Sequence, residues 1–269
     1  MNKLIYLIEL IYLRILRYNL KLIINNYVSK IELEKSSEHL KIVNDLKKNG
    51  YVIIENFLPL DKCKKVINII NDYIKNNDHK IWKEDKNDSD LRLFGAEKID
   101  ELINEFNKND KILKIGNLHI KSSLKNIFTL AGKTSFSEKN NYGSGGGWHR
   151  DSINPSFKSM LYLTDVYAGD GNLQIIENSN KFKSIIKLNG ELNKKLLNTR
   201  FSNDEINFLI EKFNLKIDDI HGKAGTLILF DGSYIHRGSP IVNNTRYALT
   251  NYFHLNIDVD KIKYPSPMI

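Results

Sequence analysis

The chain has 269 residues, 41% of them hydrophobic, a formal charge of +8 and one cysteine, Cys63. That length supports a full hydrophobic core, while a single cysteine excludes an intrachain disulfide framework and points to a reducing, cytoplasmic setting. The 40 basic residues interleave with 32 acidic ones instead of forming blocks, a pattern that argues against a dedicated nucleic-acid surface.

Residues 1–35 read as an N-terminal basic amphipathic helical segment and residues 36–269 as one domain. Leu4 to Val28 is rich in Leu, Ile and Tyr, but Glu9, Arg14, Arg17 and Lys21 interrupt it before it reaches the length of a membrane-spanning helix. The first alanine is Ala96, so no small-residue cleavage site follows and a secretory signal is not expected. At 100° per residue, Lys3, Arg14, Arg17 and Lys21 fall in one stripe, with apolar residues over most of the remaining circumference. Two roles are open: peripheral membrane contact through residues 3–24, with the stripe meeting anionic headgroups, or packing of the broad apolar face on the domain or a second subunit.

From Ser37, the spacing of Leu40, Val43 and Leu46 predicts a helix stopped by Gly50. Tyr51 to Ile54 reads as a strand, and Asp61 is placed to cap the helix that follows. Residues 76–90, dense in Asp, Asn and Lys around Trp82, read as a solvated loop. Residues 99–131 read as mainly helical, becoming strand-like near Thr134 to Phe136. Short β-segments follow at Lys158 to Val166, Asn172 to Glu177, Gly225 to Phe230 and Arg246 to His254. The chain is therefore mainly β with flanking helices, an all-β sandwich or barrel preceded by helices. Residues 182–220 form an insertion between strands, serving as a lid or as a structural excursion, and Ser202 with Glu205 heads a helix there through a capping box.

The chemistry gathers at Gly145-Gly146-Gly147-Trp148-His149-Arg150-Asp151. No Gly-Lys-Ser/Thr follows the glycines, and the partner motifs of a kinase loop are missing, so neither a phosphate loop nor a kinase is indicated. On a strand, His149 and Asp151 share one face and Trp148 and Arg150 the other, leaving the latter pair for packing or the surface. One imidazole and one carboxylate are two thirds of a facial triad for non-haem Fe(II), with positions left open for substrate and O2. Far downstream, His236 follows an apolar strand and a turn, where a third ligand is expected. Ten residues later Arg246 offers a guanidinium fork suited to the distal carboxylate of a dicarboxylic cosubstrate.

In order, Trp148-His149-Arg150-Asp151, Leu163-Thr164-Asp165-Val166 with Asp170-Gly171-Asn172-Leu173, Leu229-Phe230-Asp231-Gly232 with His236-Arg237-Gly238-Ser239-Pro240, and Asn244-Thr245-Arg246 resemble the phytanoyl-CoA dioxygenase family. The resemblance extends over about residues 41–254 and implies a double-stranded β-helix (jelly roll, cupin-like) core, with Fe(II) and 2-oxoglutarate as cofactors and O2 as oxidant. It carries over His149, Asp151 and His236 as metal ligands, Arg246 as the 2-oxoglutarate 5-carboxylate site, and Tyr167 at a position where relatives place a Trp near the cosubstrate. It implies hydroxylation of an unactivated C–H bond, and the carboxylate of Asp151 separates the chain from related halogenases. One departure is Glu177-Asn178-Ser179-Asn180, where relatives have Pro-Gly-Ser-His and only Ser179 matches. The basic charge suits a small or lipid-linked anionic substrate. The rival readings are a metal-binding jelly roll without oxygenase activity and a membrane-surface protein with a vestigial site.

Overall fold

The computed structural model describes residues 3–30, 33, 36–138, 147–242 and 244–269. The first glycines of the run, Gly145 and Gly146, lie outside the described residues, whereas Gly147 lies within them.

The N-terminal segment is one long helix built of α1 (Lys3–Leu10), a π-helical stretch (Ile11–Arg17) and α2 (Tyr18–Ser29). Then come α3 (Ser37–Asn49), β1 (Tyr51–Ile54) and α4 (Leu60–Asn76). Gly50 ends α3 in the left-handed region at φ 91°, its N–H donating to the Leu46 carbonyl. Asp61 lies in the first turn of α4 but makes no capping bond, since Pro59 occupies the cap position. The expected loop at 76–90 contains a two-residue strand, β2 (Trp82–Lys83), paired with β3 (Asp90–Phe94). The helical reading of 99–131 holds for α5 (Glu101–Asn107) and α6 (Asp110–Ile120), but β4 (Leu124–Ser135) begins earlier than its sequence suggests. Register is the cause: eleven β10 residues face β4, and ladder pairing overrides the weak local pattern of Lys, Asn and Gly.

The remaining elements are β5 (Phe157–Tyr162), β6 (Leu173–Ile176), α7 (Phe182–Glu191), α8 (Asn203–Phe213), β7 (Ile217–Ile220), β8 (Leu227–Asp231), β9 (His236–Gly238) and β10 (Thr245–Leu255). Two antiparallel sheets result, a seven-stranded one in the order β1-β8-β5-β10-β4-β3-β2 and a three-stranded one in the order β7-β6-β9. The fold is a jelly-roll double-stranded β-helix with helices on the outer face of the large sheet and over the small sheet.

Alternation along the strands explains the layering. Leu161, Leu227, Leu229 and Leu249 turn outward onto Val43, Leu46, Val66, Ile70 and Ile112 of the helices. Tyr162, Ile228, Phe230 and Ala248 turn inward onto Leu173 and Ile175 of the small sheet. Full burial of each such aliphatic side chain contributes about 1.5–3 kcal/mol. The 182–220 insertion is a packed shell over the small sheet: Leu188, Ile206 and Leu209 enclose Trp148, Ile176 and Ile235 in one cluster. The capping box of Ser202 and Glu205 is present.

The N-terminal helix sits against the domain in an orientation the helical wheel does not give. Only a narrow face packs, with Tyr6, Leu10 and Leu13 meeting Ile153, Ile185 and Leu196. Two members of the basic stripe, Arg14 and Lys21, are engaged by the domain, while Arg17 is exposed. Arg14 donates to the Asn180 carbonyl at 2.6 Å and Lys21 pairs with Asp258 at 2.6 Å. Part of the stripe is thus tied to the domain, and the broad apolar face is not packed on it.

Candidate metal centre

After a left-handed turn at Gly147, residues 148–151 run between the small sheet and the insertion. His149 forms isolated bridges to His236 on one side and to Arg200 on the other, so the segment is a single bridge residue rather than the strand expected. Its anchors are strong nonetheless. The amide and carbonyl of His149 exchange bonds with those of His236 at 2.9 and 2.8 Å, and Asp151 N–H donates to the Gly232 carbonyl at 2.9 Å. His149 and Asp151 thereby share one face, as the period of two requires.

The other face holds Trp148 and Arg150, both buried. Arg150 donates to Asn189 Oδ1 and to the Ser179 carbonyl at 3.0 and 2.9 Å and stacks on Phe201. Burial brings its guanidinium down to about 9. Ser179, the one match to the family's Pro-Gly-Ser-His turn, is buried and accepts the Ile235 N–H at 2.8 Å, which fixes the backbone immediately before His236. The altered turn keeps this support for the distal histidine.

His149, Asp151 and His236 form a candidate metal-binding group whose ligating atoms lie within 4.8 Å of one another. Nδ1 of His149 lies 2.8 Å from the Gly147 carbonyl, and Nδ1 of His236 lies 2.9 Å from that of Tyr234. A carbonyl only accepts, so each Nδ1 carries the proton and each Nε2 presents a lone pair. Those two Nε2 atoms face the Asp151 carboxylate at 3.7 and 3.8 Å. Gly147, at φ 81°, supplies the left-handed turn that brings its carbonyl to the ring. Two neutral imidazoles and one carboxylate, with their remaining groups tied to the backbone, are a donor set suited to Fe(II).

Electrostatics keep the donors in their binding forms. Burial lowers both imidazoles, His149 to about 3. For Asp151, burial would raise the carboxyl, but Lys158 and the two rings bring it down to about 2. In each case the folded value lies below the unfolded one, so the unfolded chain takes up protons first as pH falls. Metal-free protein is therefore expected to lose stability as pH drops below 6.5 towards 3, measured as a fall in melting temperature between pH 7 and pH 5.

Lys158 is the residue at the candidate site that sequence reasoning missed. It donates to Asp151 Oδ1 at 2.8 Å and stands over the Tyr252 ring at 4.4 Å. A lysine, the one charge in the strand Phe157 to Tyr162, was the available signal. By engaging one carboxylate oxygen, it orients the ligand.

Two cavities meet at this group. One, inside the barrel, is lined by His149, His236 and Arg246 together with Thr134, Gly238 and Thr250. Arg246, buried at the start of β10, donates to the Gly171 carbonyl and to Thr134 Oγ1. The second, of about 670 Å³, is lined by Asp151, by Leu13, Arg17 and Lys21 of the N-terminal helix, and by Phe253 and Leu255. Lys158 and Tyr252 line both. Tyr167 lines neither. Val166 is buried and bridged to Gly222, so the next side chain turns out, leaving Tyr167 46% exposed with its ring 6.4 Å from His221.

The family model of phytanoyl-CoA dioxygenase matches residues 46–247, a span that contains the triad and Arg246. The chain belongs to the phytanoyl-CoA dioxygenase family. Among solved structures, the fold of this family member is similar to that of the epimerase SnoN from nogalamycin biosynthesis, in complex with Fe3+, alpha ketoglutarate and nogalamycin RO. That match has a TM-score of 0.61 and 11% identity, and covers 87% of this chain and 92% of that one. HygX from Streptomyces hygroscopicus, with nickel, 2-oxoglutarate and hygromycin B bound, matches with a TM-score of 0.55 and 12% identity over 82% of this chain and 88% of that one. EctD from S. alaskensis in its apoform matches at 0.57 and 13% identity, over 82% and 77%. At such identities these likenesses concern the fold. The search of curated proteins gave no match.

Proposed function

We propose that the chain is an Fe(II)- and 2-oxoglutarate-dependent dioxygenase that hydroxylates an unactivated C–H bond of a small or lipid-linked, anionic substrate. The observation that carries this reading is the sharing of one cavity by His149, His236 and Arg246, with Asp151 completing the donor set. When bound, the metal and 2-oxoglutarate supply the oxidising power: the cosubstrate is decarboxylated to succinate and one oxygen atom of O2 enters the C–H bond.

His149, Asp151 and His236 hold the metal, and Arg246 holds the far carboxylate of 2-oxoglutarate in a guanidinium fork. Lys158 keeps Asp151 oriented from the substrate side. The 670 Å³ cavity takes the substrate, because it opens on Asp151 from outside the barrel. Its walls combine apolar Leu13, Phe253 and Leu255 with basic Arg17, a lining suited to an amphiphile with an anionic group. A lipid-linked substrate would be met at a membrane surface.

The test is O2-dependent formation of succinate from 2-oxoglutarate by iron-loaded protein. Arg246→Ala is expected to raise the 2-oxoglutarate concentration needed for half-maximal turnover by roughly 30-fold or more, since truncating one partner of a buried ionic contact costs about 2–5 kcal/mol. Iron binding should be unchanged. Oxygen uptake without succinate, or neither, would instead favour a metal-binding jelly roll that is not an oxygenase.

A further inference from the structure

An ordinary surface helix turns its apolar stripe to the core and its polar face to water. The N-terminal helix does the reverse over much of its length. Several of its polar side chains are engaged by the domain: Tyr6 Oη donates to the Lys194 carbonyl at 3.0 Å, Tyr18 Oη to that of Pro155 at 3.0 Å, and Asn25 Nδ2 to Ser122 Oγ at 2.8 Å. The outward side carries Ile8, Tyr12, Leu16, Ile23 and Tyr27, from 55% to 85% exposed. The helix passes through a π-helical stretch, Ile11–Arg17, and along its length Tyr6, Lys21 and Asn25 meet the domain while Ile8, Tyr12, Ile23 and Tyr27 stay on the outside. A contiguous exposed apolar face of this kind marks an interaction surface.

We propose that this face seats on an anionic lipid surface, at the level of the headgroups, with the helix lying in the membrane plane. The apolar arc is broader than the narrow seam that a second helix would cover. Tyr12 and Tyr27 bring the aromatic, amphipathic character suited to an interface. Charge complementarity selects the occupant. Exposed lysines lie on elements the helix packs against, Lys183 on α7 and Lys121 at the end of α6, whose carbonyl accepts from Asn26. A symmetric second copy would bring these lysines against their own images, whereas anionic headgroups neutralise them. Among the described residues no helix is long and apolar enough to cross a membrane, which agrees with a helix lying on the surface. Leu13 and Arg17 of the same helix line the 670 Å³ cavity, so docking brings that cavity close to the lipid. The inference deepens the lipid-linked-substrate reading, but its test involves no turnover.

The experiment is flotation of the full chain with vesicles of phosphatidylcholine mixed with phosphatidylglycerol, and with phosphatidylcholine alone. The chain is expected to float with the anionic vesicles and to be released by high salt. The combined variant Ile8→Asp, Leu16→Asp and Ile23→Asp should lower the bound fraction about tenfold or more, with an unchanged melting temperature because all three side chains face solvent. Lys183→Glu with Lys121→Glu should remove the preference for anionic vesicles while leaving the apolar face intact. No flotation with either vesicle, or equal flotation of the wild type and both variants, would overturn the proposal. So would a dimer that the apolar-face variant converts to monomer without any vesicle binding by the wild type.

Discussion

His236→Ala is expected to weaken Fe(II) binding by at least about 100-fold and to abolish turnover, while the apo chain still folds. Loss of groups that merely orient a ligand typically costs about 10–100-fold in metal affinity, and here a ligand itself is removed. His236 is the most enclosed of the three ligands: it is buried, lies edge-on to Phe230 at 5.4 Å, and is held through Nδ1 by the Tyr234 carbonyl. Its Nε2 is aimed at the Asp151 carboxylate before any metal arrives. Alanine leaves two donors and a small cavity, whose cost to the fold is modest beside the loss of affinity. Anaerobic Fe(II) titration measures the first effect and thermal unfolding of metal-free protein the second. Retained tight iron binding by the variant would remove His236 from the site.

Gly232→Ala should be nearly as damaging, for a different reason. A Cβ on Gly232 would overlap Asp151 Oδ2 and lie 2.7 Å from Ser156 Oγ. The Gly232 carbonyl accepts the Asp151 N–H, so backbone and side chain of the ligand both depend on close approach at this glycine. Either the carboxylate moves, or the turn Asp231-Gly232-Ser233 that leads to His236 does. Iron affinity should fall by at least about tenfold. Stability should fall by about 1–3 kcal/mol, the usual cost of overpacking, or roughly 2–10 °C in melting temperature for a chain of this size. Gly190→Ala is the control. The nearest atom to its Cβ would be Tyr6 Cε2 at 3.8 Å, an ordinary contact, and it should bind iron like the wild type.

The metal site was legible in the sequence because its logic is short-range. A His and an Asp two positions apart share a face on any extended backbone, and His236 and Arg246 follow it on β9 of the small sheet and β10 of the large one, which line one cavity. What stayed hidden depended on tertiary context. Lys158 looks like an isolated charge in an apolar strand until β5 turns it towards Asp151. The early start of β4 is decided by its pairing with β10, not by its own composition. Tyr167 matched by position, but the chain turns at Val166 and sends its ring outward. The N-terminal helix was misread in orientation because a helical wheel separates the basic stripe from the apolar arc without saying which of them the domain meets, and it gives no weight to carbonyls and carboxylates waiting on the domain for Arg14 and Lys21. In each case the missing information was which surface a side chain would meet.

The central claim is that His149, Asp151 and His236 hold Fe(II) and that 2-oxoglutarate completes the site. It is tested most directly by adding Fe(II) and 2-oxoglutarate to the protein under anaerobic conditions and recording the visible spectrum. A visible iron-to-ketoacid charge-transfer band should appear only when both are present, and it should be missing in His236→Ala. Folded protein that takes up both without producing the band, or a band that persists in His236→Ala, would contradict the account.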